Sequence, residues 1–242
     1  MRDRKGDDLE KSVQEIVAIL DLEATSDFHQ RADKVRAFIN DNSDHEIDEE
    51  FRANSGNPAA YAAGVVAYAK RLSPEPVHME CSTRSSLMES ILEALGYETR
   101  RIAVFDSHHE KNLRSHSFLE VKNPETQQWE TQDPDYDIYW RSMNSNNRVS
   151  LAEAAENMDA IEPCGRESCG WNHVSREKTN ADKLKEYLDI IGVIENRGQL
   201  RYAMYTSRAD LKRLYTNGSE QGTFCEVSPK RCRDGFYDIS KR

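Results

Sequence analysis

A single cysteine stands directly ahead of an amphipathic segment in "VHMECSTRSSLMESILEALGY". This residue is Cys81, and the segment 82–95 that follows repeats apolar residues with helical spacing until Gly96 ends it. A thiol at the start of a helix faces free N–H groups and the positive end of the helix dipole, and both favour the thiolate. Because the thiolate is the reactive form of cysteine, Cys81 is a candidate nucleophile.

Two further residues complete a set of nucleophile, base and carboxylate. His116 lies in "SHSFLEV", whose alternation predicts a strand, and Asp133 follows the next strand-like run. A base must take the thiol proton and return it to the leaving group, and a carboxylate must orient that base. We therefore predict a triad of Cys81, His116 and Asp133. Asp135 and Asp137 are the alternatives for the carboxylate.

The elements that must position these residues predict a helix packed on an antiparallel sheet. The runs 97–105, 114–122 and 127–132 read as strands, and short polar links between sequential strands favour antiparallel order. The nucleophile precedes helix 82–95, so the helix start can lie over the strand ends. A helix on such a sheet gives the α+β fold class.

Helical segments are predicted on both sides of this unit. Apolar spacing gives one helix after Asp8 and another after Ser26, and Asn57–Pro58 opens an Ala-rich third. The acidic stretch 41–50 has no periodicity and reads as a solvated loop. The chain is thus divided into an N-terminal helical segment 1–56, a catalytic core 57–141 and a mostly helical region 142–242 with Cys-containing loops.

Cap signals underlie the helical interpretation of the C-terminal region. Ser150 with Glu153 forms a capping box, and Ser207 with Asp210 is similar. Asn180 precedes a run of apolar residues with helical spacing. Each of these residues is therefore predicted to begin a helix.

The order of the motifs resembles the transglutaminase-like superfamily of cysteine enzymes. In that family the helix that starts with the nucleophile leads into Leu-Gly-aromatic-x-x-Arg, as in Leu95–Gly96–Tyr97 with Arg100. The base lies in a His-x-aromatic-x-Glu-Val strand, matched by His116 with Glu120–Val121, and the carboxylate in a Trp-x-x-x-Asp-Pro segment, matched by Trp129 with Asp133–Pro134. The resemblance covers roughly residues 60–141. It implies a papain-like core in which Cys81, His116 and Asp133 are catalytic, and no cofactor.

The resemblance implies acyl transfer from an amide or ester through a thioester on Cys81. We favour hydrolysis of an amide bond in a peptide, a protein or a small amide, because no calcium loop of the animal transglutaminase kind is visible. A protein-glutamine transglutaminase with an amine acceptor is one alternative. The other is an inactive binding module, since Met79 stands where the family often has glycine and Glu80 puts a negative charge directly before the thiol.

Several residues are candidates for supporting roles. The backbone N–H of Cys81 can stabilise an oxyanion, and Asn54 and Asn57 are candidates for a second donor. Arg84 and Arg114 are candidate substrate contacts. The two histidines of the polar loop, His108 and His109, read as exposed.

Four more cysteines lie in the C-terminal region, in "PCGRESCGW" and "CEVSPKRC". Reduced thiols, disulfides and a zinc site, with His173 in place of one thiolate, all remain open for Cys164, Cys169, Cys225 and Cys232. Cys169 before Gly170–Trp171 faintly resembles a papain-type nucleophile. No apolar helical run follows it and His173 is too close to be that family's base, so Cys81 is preferred.

Charge and hydropathy limit the partners. The 242-residue chain carries a formal net charge of −10, which disfavours nucleic acid and anionic membranes as partners of the whole protein. We find no apolar run of membrane-spanning length and no signal peptide. The expected location is therefore cytoplasmic, with export after removal of a leader left open. The sequence does not indicate an oligomeric state.

Overall fold

A computed structural model describes residues 4–54, 56–105, 115–156, 160–170, 192–196 and 199–202. Helices predominate before the candidate nucleophile, and antiparallel strands predominate after it. Four helices lie in the first part of the chain, namely α1 (Arg4–Ile19), α2 (Phe28–Asp41), α3 (Glu49–Asn54) and α4 (Pro58–Ala69). The fold is therefore a mixture of helices and small sheets, compatible with the predicted α+β class.

The helix starts follow local capping chemistry. Helix α2 is capped by Asp27 rather than by Ser26, because the Asp27 carboxylate accepts the Gln30 N–H at 2.7 Å. Helix α4 begins with Pro58 at its first position, as predicted.

The acidic stretch 41–50 is not a loop throughout, and the prediction was wrong there. Ser43–His45 forms strand β1, which pairs in parallel with β2 (Val77–Met79), and α3 begins at Glu49. A strand of three residues is too short for an alternating pattern to show in the sequence. The pairing matters for the site because β2 leads directly to Cys81.

The main sheet carries His116 and leads to Asp133. Its strand order is β5-β4-β3-β8-β9, and every neighbouring pair is antiparallel. The strands are β3 (Thr99–Phe105), β4 (Ser115–Lys122), β5 (Trp129–Gln132), β8 (Gly192–Asn196) and β9 (Gln199–Tyr202). The predicted antiparallel arrangement of the first three is confirmed, whereas β8 and β9 were not predicted.

Helix α5 (Cys81–Ala94) packs on this sheet through its apolar face. Leu87, Met88, Ile91 and Leu92 are all buried on that face. Gly96 adopts a φ of +85°, which ends the helix in the left-handed region that favours glycine. The helix therefore starts and stops as the sequence predicts, one residue earlier at each end.

Strands outnumber helices in the described part of region 142–242, so the mostly helical prediction was wrong for these residues. Strand β6 (Tyr139–Ser142) pairs with β7 (Ile161–Cys164), and the described helix here is α6 (Leu151–Glu156). Short apolar runs such as Val193–Ile194 fit a strand or a helix equally well, and tertiary pairing decides between them.

Of the predicted caps, the one at Ser150 is confirmed. The Ser150 N–H donates to Glu153 Oε2 at 2.9 Å, and the Glu153 N–H donates to Ser150 Oγ at 3.2 Å. The predicted caps at Asn180 and Ser207 lie outside the described residues.

One hydrophobic core joins the N-terminal helices to residues 57–141. Its fully buried members come from both segments and include Ile16, Ala32, Val35, Ile39, Val65, Met79, Met88, Ile91, Leu92 and Leu119. Segment 1–56 therefore packs against 57–141. Among the helices that the structure describes, none combines the length and apolarity needed to cross a bilayer.

A buried ion pair holds the register of the sheet close to the site. Arg100 on β3 stands opposite Glu120 on β4, and its Nε donates to the Glu120 carboxylate. The ring of Trp129 lies 4.1 Å from the Arg100 guanidinium, and the other Glu120 oxygen accepts the Leu151 N–H at 2.6 Å. Arg100, Glu120 and Trp129 therefore connect β3, β4 and β5, and all three belong to the motifs described above.

We expect Glu120→Ala to lower the free energy of unfolding by roughly 3–5 kcal/mol, because it leaves the buried Arg100 guanidinium without its counter-ion. Urea unfolding followed by circular dichroism measures this. The matched control is Glu98→Ala, which removes an exposed pair with Lys122 and should cost less than about 1 kcal/mol. Equal losses in the two variants would contradict the structural role of the buried pair.

Candidate active site

The thiol of Cys81 lies at the first position of α5. Glu80 precedes it with extended backbone, and the Glu80 carbonyl accepts the N–H groups of Thr83 and Arg84, each at 3.0 Å. Fully buried Met79 on β2 fixes the approach of the chain to this turn. Cys81 is half-buried, and it is the free cysteine among the described residues. The predicted position of Cys81 at the start of this helix is confirmed.

His116 brings an imidazole ring to this thiol from the sheet. The ring is 3% exposed, and its Nε2 lies 2.6 Å from Asp133 Oδ2. The Cys81 thiol lies close enough to the same ring to raise the pKa of His116. Because Asp133 occupies Nε2, Nδ1 is the nitrogen that can exchange a proton with the thiol. The structure thus brings together all three residues of the predicted triad.

Both oxygens of the Asp133 carboxylate are held. Oδ2 contacts His116, while Oδ1 accepts the backbone N–H groups of Asp135 and Tyr136 at 3.0 and 3.2 Å. The backbone of Asp133 also exchanges two hydrogen bonds with Ile138, at 2.8 and 3.1 Å. This turn fixes the carboxylate at the end of β5 and directs it at the imidazole.

The surroundings of His116 favour its charged form. Burial opposes a charge on the ring, but the charge and hydrogen bond of Asp133, and then the Cys81 contact, outweigh it. The pKa of His116 is therefore raised well above 6.5. An imidazolium beside a thiol stabilises the thiolate. The arrangement can therefore supply a nucleophile and the acid that later protonates a leaving group.

Asp135, an alternative for the triad carboxylate, has other partners. Its Oδ1 lies 2.9 Å from Arg84 Nη1 and 2.7 Å from His45 Nδ1, whereas its Oδ2 is 3.9 Å from His116 Nδ1. Burial raises the pKa of the Asp135 carboxyl, but the His45 hydrogen bond and the nearby cations keep this pKa below 3.8. Asp133 is therefore the carboxylate that binds the imidazole, as predicted.

Asp137, the second alternative, forms its ion pairs with arginines. It accepts a hydrogen bond from Arg36 Nε at 3.0 Å and also pairs with Arg166. These contacts anchor the end of the turn that starts at Asp133. Asp137 thus has a structural role beside the site.

Arg84 is buried rather than poised to contact substrate, so that prediction was wrong. Its side chain is 3% exposed, and Nη2 donates to the Ser43 carbonyl at 2.6 Å while Nη1 binds Asp135. Arg84 follows Cys81 by three residues, which places it on the face of α5 that turns toward the sheet. His45, its neighbour on Asp135, was not predicted. The other candidate contact, Arg114, and the loop histidines His108 and His109 lie outside the described residues.

A pocket of about 250 Å³ adjoins the start of α5. Glu80 and Ser82, the neighbours of Cys81 in the chain, both line it, and so does Asn57. The Asn57 Oδ1 atom is buried without a hydrogen-bond partner among the described residues. Of the two candidate oxyanion donors, Asn57 lines this pocket and Asn54 does not, and Cys81 itself is not among the lining residues. The Cys81 N–H is a donor at a position where a helix offers no internal acceptor.

Cys164 and Cys169 form a disulfide, which decides between the three states left open for this pair. The two residues face each other across an isolated β-bridge, with Cα atoms 4.0 Å apart. Cys169 is therefore not a free nucleophile, and neither sulfur is a thiolate ligand for zinc. Cys225, Cys232 and His173 lie outside the described residues.

No protein-family model matches the chain, and no curated protein matches it.

His78, on the strand before Cys81, is surrounded by carboxylates. Its Nδ1 lies 2.8 Å from Asp48 Oδ2 and 3.9 Å from Glu50 Oε2, and its Nε2 lies 3.7 Å from Glu46 Oε2. Burial lowers the pKa of His78, but these carboxylates outweigh burial and raise it above 6.5. The contact holds the segment before α3 against β2.

We expect the contacts of His78 with Asp48, Glu50 and Glu46 to stabilise the protein in a pH-dependent way. Because the pKa of His78 is raised on folding, its contribution is complete below 6.5 and is lost as pH rises through the folded-state pKa. The difference in free energy of unfolding between wild type and His78→Gln should therefore be largest at about pH 5.5 and shrink above neutrality. Asp48→Asn should remove most of this pH dependence. If the difference in free energy of unfolding grew with pH, folding would not raise the pKa of His78.

We expect Cys81 to be alkylated selectively in mildly acidic solution, because the His116 imidazolium stabilises its thiolate. At about pH 6, iodoacetamide should modify Cys81 at least about tenfold faster in wild type than in His116→Ala, with the difference narrowing in alkaline solution. Peptide mapping by mass spectrometry separates Cys81 from Cys225 and Cys232. Thermal unfolding of the variant confirms that it is folded. If Cys81 were alkylated at equal rates in wild type and His116→Ala across the pH range, His116 would not stabilise its thiolate.

Proposed function

We propose that the chain is a cysteine-dependent acyl-transfer enzyme of the transglutaminase-like type, which hydrolyses an amide bond. One observation carries the proposal. The thiol of Cys81, at a helix N-terminus, meets an imidazole whose other nitrogen is bound by a buried carboxylate at 2.6 Å. The packing of α5 on antiparallel strands supports a papain-like core around these residues.

In the first half-reaction the Cys81 thiolate attacks the carbonyl carbon of the substrate. The negative charge that develops on the carbonyl oxygen is stabilised by the Cys81 N–H and by the positive end of α5. As the C–N bond breaks, the His116 imidazolium gives its Nδ1 proton to the leaving amine. Asp133 keeps the ring oriented throughout, and a thioester on Cys81 results.

In the second half-reaction neutral His116 takes a proton from water as the water oxygen attacks the thioester. The C–S bond then breaks, the proton stays on His116, the thiolate–imidazolium pair is restored, and a carboxylic acid leaves. If an amine replaces water, the same steps give a new amide, which is the transglutaminase alternative. The two reactions are distinguished by supplying a labelled amine to the acyl-enzyme and comparing amide with acid.

A binding module without turnover is the second candidate, and one specific observation favours it. The Glu80 carboxylate precedes the thiol and accepts a hydrogen bond from Ser82, so it lies on the nucleophile's own turn. A negative charge there opposes the thiolate. Failure to trap an acyl-enzyme on Cys81 with activated esters and thioesters would favour this candidate.

The cytoplasmic location remains a prediction. Disulfides persist mainly in oxidising compartments, so the Cys164–Cys169 bond supports a location outside the reducing cytoplasm instead.

We expect Asp133→Asn to slow acylation of Cys81 by about 10²-fold or more with little loss of stability. The change keeps the shape of the side chain but removes the charge that holds the imidazolium. The corresponding change in a serine triad costs about 10⁴ in turnover, and a preformed thiolate–imidazolium pair depends less on the carboxylate. Single-turnover acylation by an activated thioester, with the acyl-enzyme detected by mass spectrometry, measures the effect.

Two variants serve as controls for Asp133→Asn. Asp44→Asn removes an exposed charge from β1 and should leave the acylation rate unchanged. Asp135→Asn breaks the buried pair with Arg84, so it should reduce stability, while the folded protein should acylate within about tenfold of wild type. If Asp135→Asn abolishes acylation and Asp133→Asn does not, the triad carboxylate is misassigned.

A further inference from the structure

A pocket lined by Glu80 and Ser82, which flank Cys81 in the chain, has the size of one substrate side chain. Cys81 itself is not among its lining residues. The pocket volume is about 250 Å³, whereas pockets that enclose a whole small ligand usually measure about 300–1,000 Å³. Apolar side chains form much of its wall, namely Leu9, Phe51, Pro58 and Leu87. Such a wall suits an aliphatic chain.

Two hydrogen-bond acceptors, the Glu80 carboxylate and Asn57 Oδ1, belong to residues that line the pocket. The Glu80 carboxylate is bound by Ser82, and no cation among the described residues pairs with it. Asn57 Oδ1 is buried at the same wall and has no donor in the described part of the chain. A ligand group with several N–H donors and a positive charge would satisfy both residues.

The other polar groups of the pocket are already engaged. The Tyr61 hydroxyl donates to the Phe51 carbonyl at 3.0 Å, and Arg101 Nε lies 3.1 Å from Glu89 Oε2. Burial, and then the negative charge of Glu80, raise the pKa of Tyr61 above 10.0. The Glu80 charge therefore acts inside the pocket.

We infer that this pocket binds an aliphatic cation of the substrate, such as a lysine-like side chain next to the carbonyl that Cys81 attacks, and that Glu80 determines this specificity. The inference rests on the proposed function. The methylene chain lies along Phe51, Pro58 and Leu87, and the ammonium group meets Glu80 and Asn57. The bound cation also offsets the one charge that opposes the thiolate, so the correct substrate itself favours the reactive form of Cys81.

Charged thiol reagents test the inference without knowledge of the natural substrate. Three methanethiosulfonates differ in the charge that they carry, being 2-aminoethyl (cationic), methyl (neutral) and 2-sulfonatoethyl (anionic). Glu80→Gln should lower the ratio of the 2-aminoethyl to the methyl rate at Cys81 about tenfold, and Glu80→Lys should favour the 2-sulfonatoethyl reagent. The matched control is Glu75→Gln, which removes an exposed charge outside the pocket and should change the ratio less than about twofold.

Thioesters of N-acetyl-lysine and N-acetyl-norleucine extend the test to catalysis, because the second lacks the ammonium group. Wild type should favour the lysine thioester about tenfold or more in kcat/KM, and Glu80→Gln should abolish this preference. Unchanged reagent ratios in Glu80→Gln, with Cys81 still reacting with the methyl reagent, overturn the inference and leave the proposed function standing. A folded protein in which Cys81 reacts with none of the reagents overturns the proposed function itself.

Discussion

The hydrogen bond between His116 Nε2 and Asp133 Oδ2, at 2.6 Å, joins two side chains that are both almost completely buried. A charge buried without a partner costs several kcal/mol, so the imidazolium is stable only while the carboxylate stays ionised and in place. The contacts that fix Asp133, from the N–H groups of Asp135 and Tyr136 and from the bridge to Ile138, therefore also fix the base. The turn that begins at Asp133 therefore sets the position of the His116 ring.

Three buried arginines hold the chain around that turn from three different elements. Arg36 on α2 binds Gln132 and Asp137, Arg84 on α5 binds Asp135, and Arg100 on β3 binds Glu120 beside β5. Apolar contacts favour burial but specify direction weakly, whereas a guanidinium presents donors in a fixed plane. The hydrophobic core brings α5 and the sheet together, and the ion pairs of Arg36 and Arg84 then hold the turn that carries the Asp133 carboxylate.

Hydrophobic periodicity and motif order in the sequence predicted those elements that depend on residues close together in the chain. Helix α5, the antiparallel order of β3, β4 and β5, and the set Cys81, His116 and Asp133 follow from periodicity and from the order of motifs along the chain.

Contacts between distant segments could not be predicted in this way. His45 reaches Asp135 across 90 positions, and the three residues of β1 carry no pattern that indicates β2 as their partner. The burial of Arg84 was missed for a similar reason, because its partners come from β1 and from the turn after β5. The transglutaminase-like relationship remains a prediction.

The charges around the Cys81 thiol do not balance, because negative groups outnumber the cations paired with them. Asp133 is offset by the His116 imidazolium, and Asp135 is offset by Arg84. Once the thiolate forms, it and Glu80 are two negative charges that face chiefly the partial charge of about +0.5 at the helix N-terminus. Among the residues that the structure describes, no further cation pairs with Glu80. The free site is therefore negative overall, and an anionic group brought to the reacting carbonyl would be repelled while a cationic one would be attracted. A triad alone carries no such preference, so under the proposed function we expect the charge selectivity of this site to depend on Glu80, the residue before Cys81.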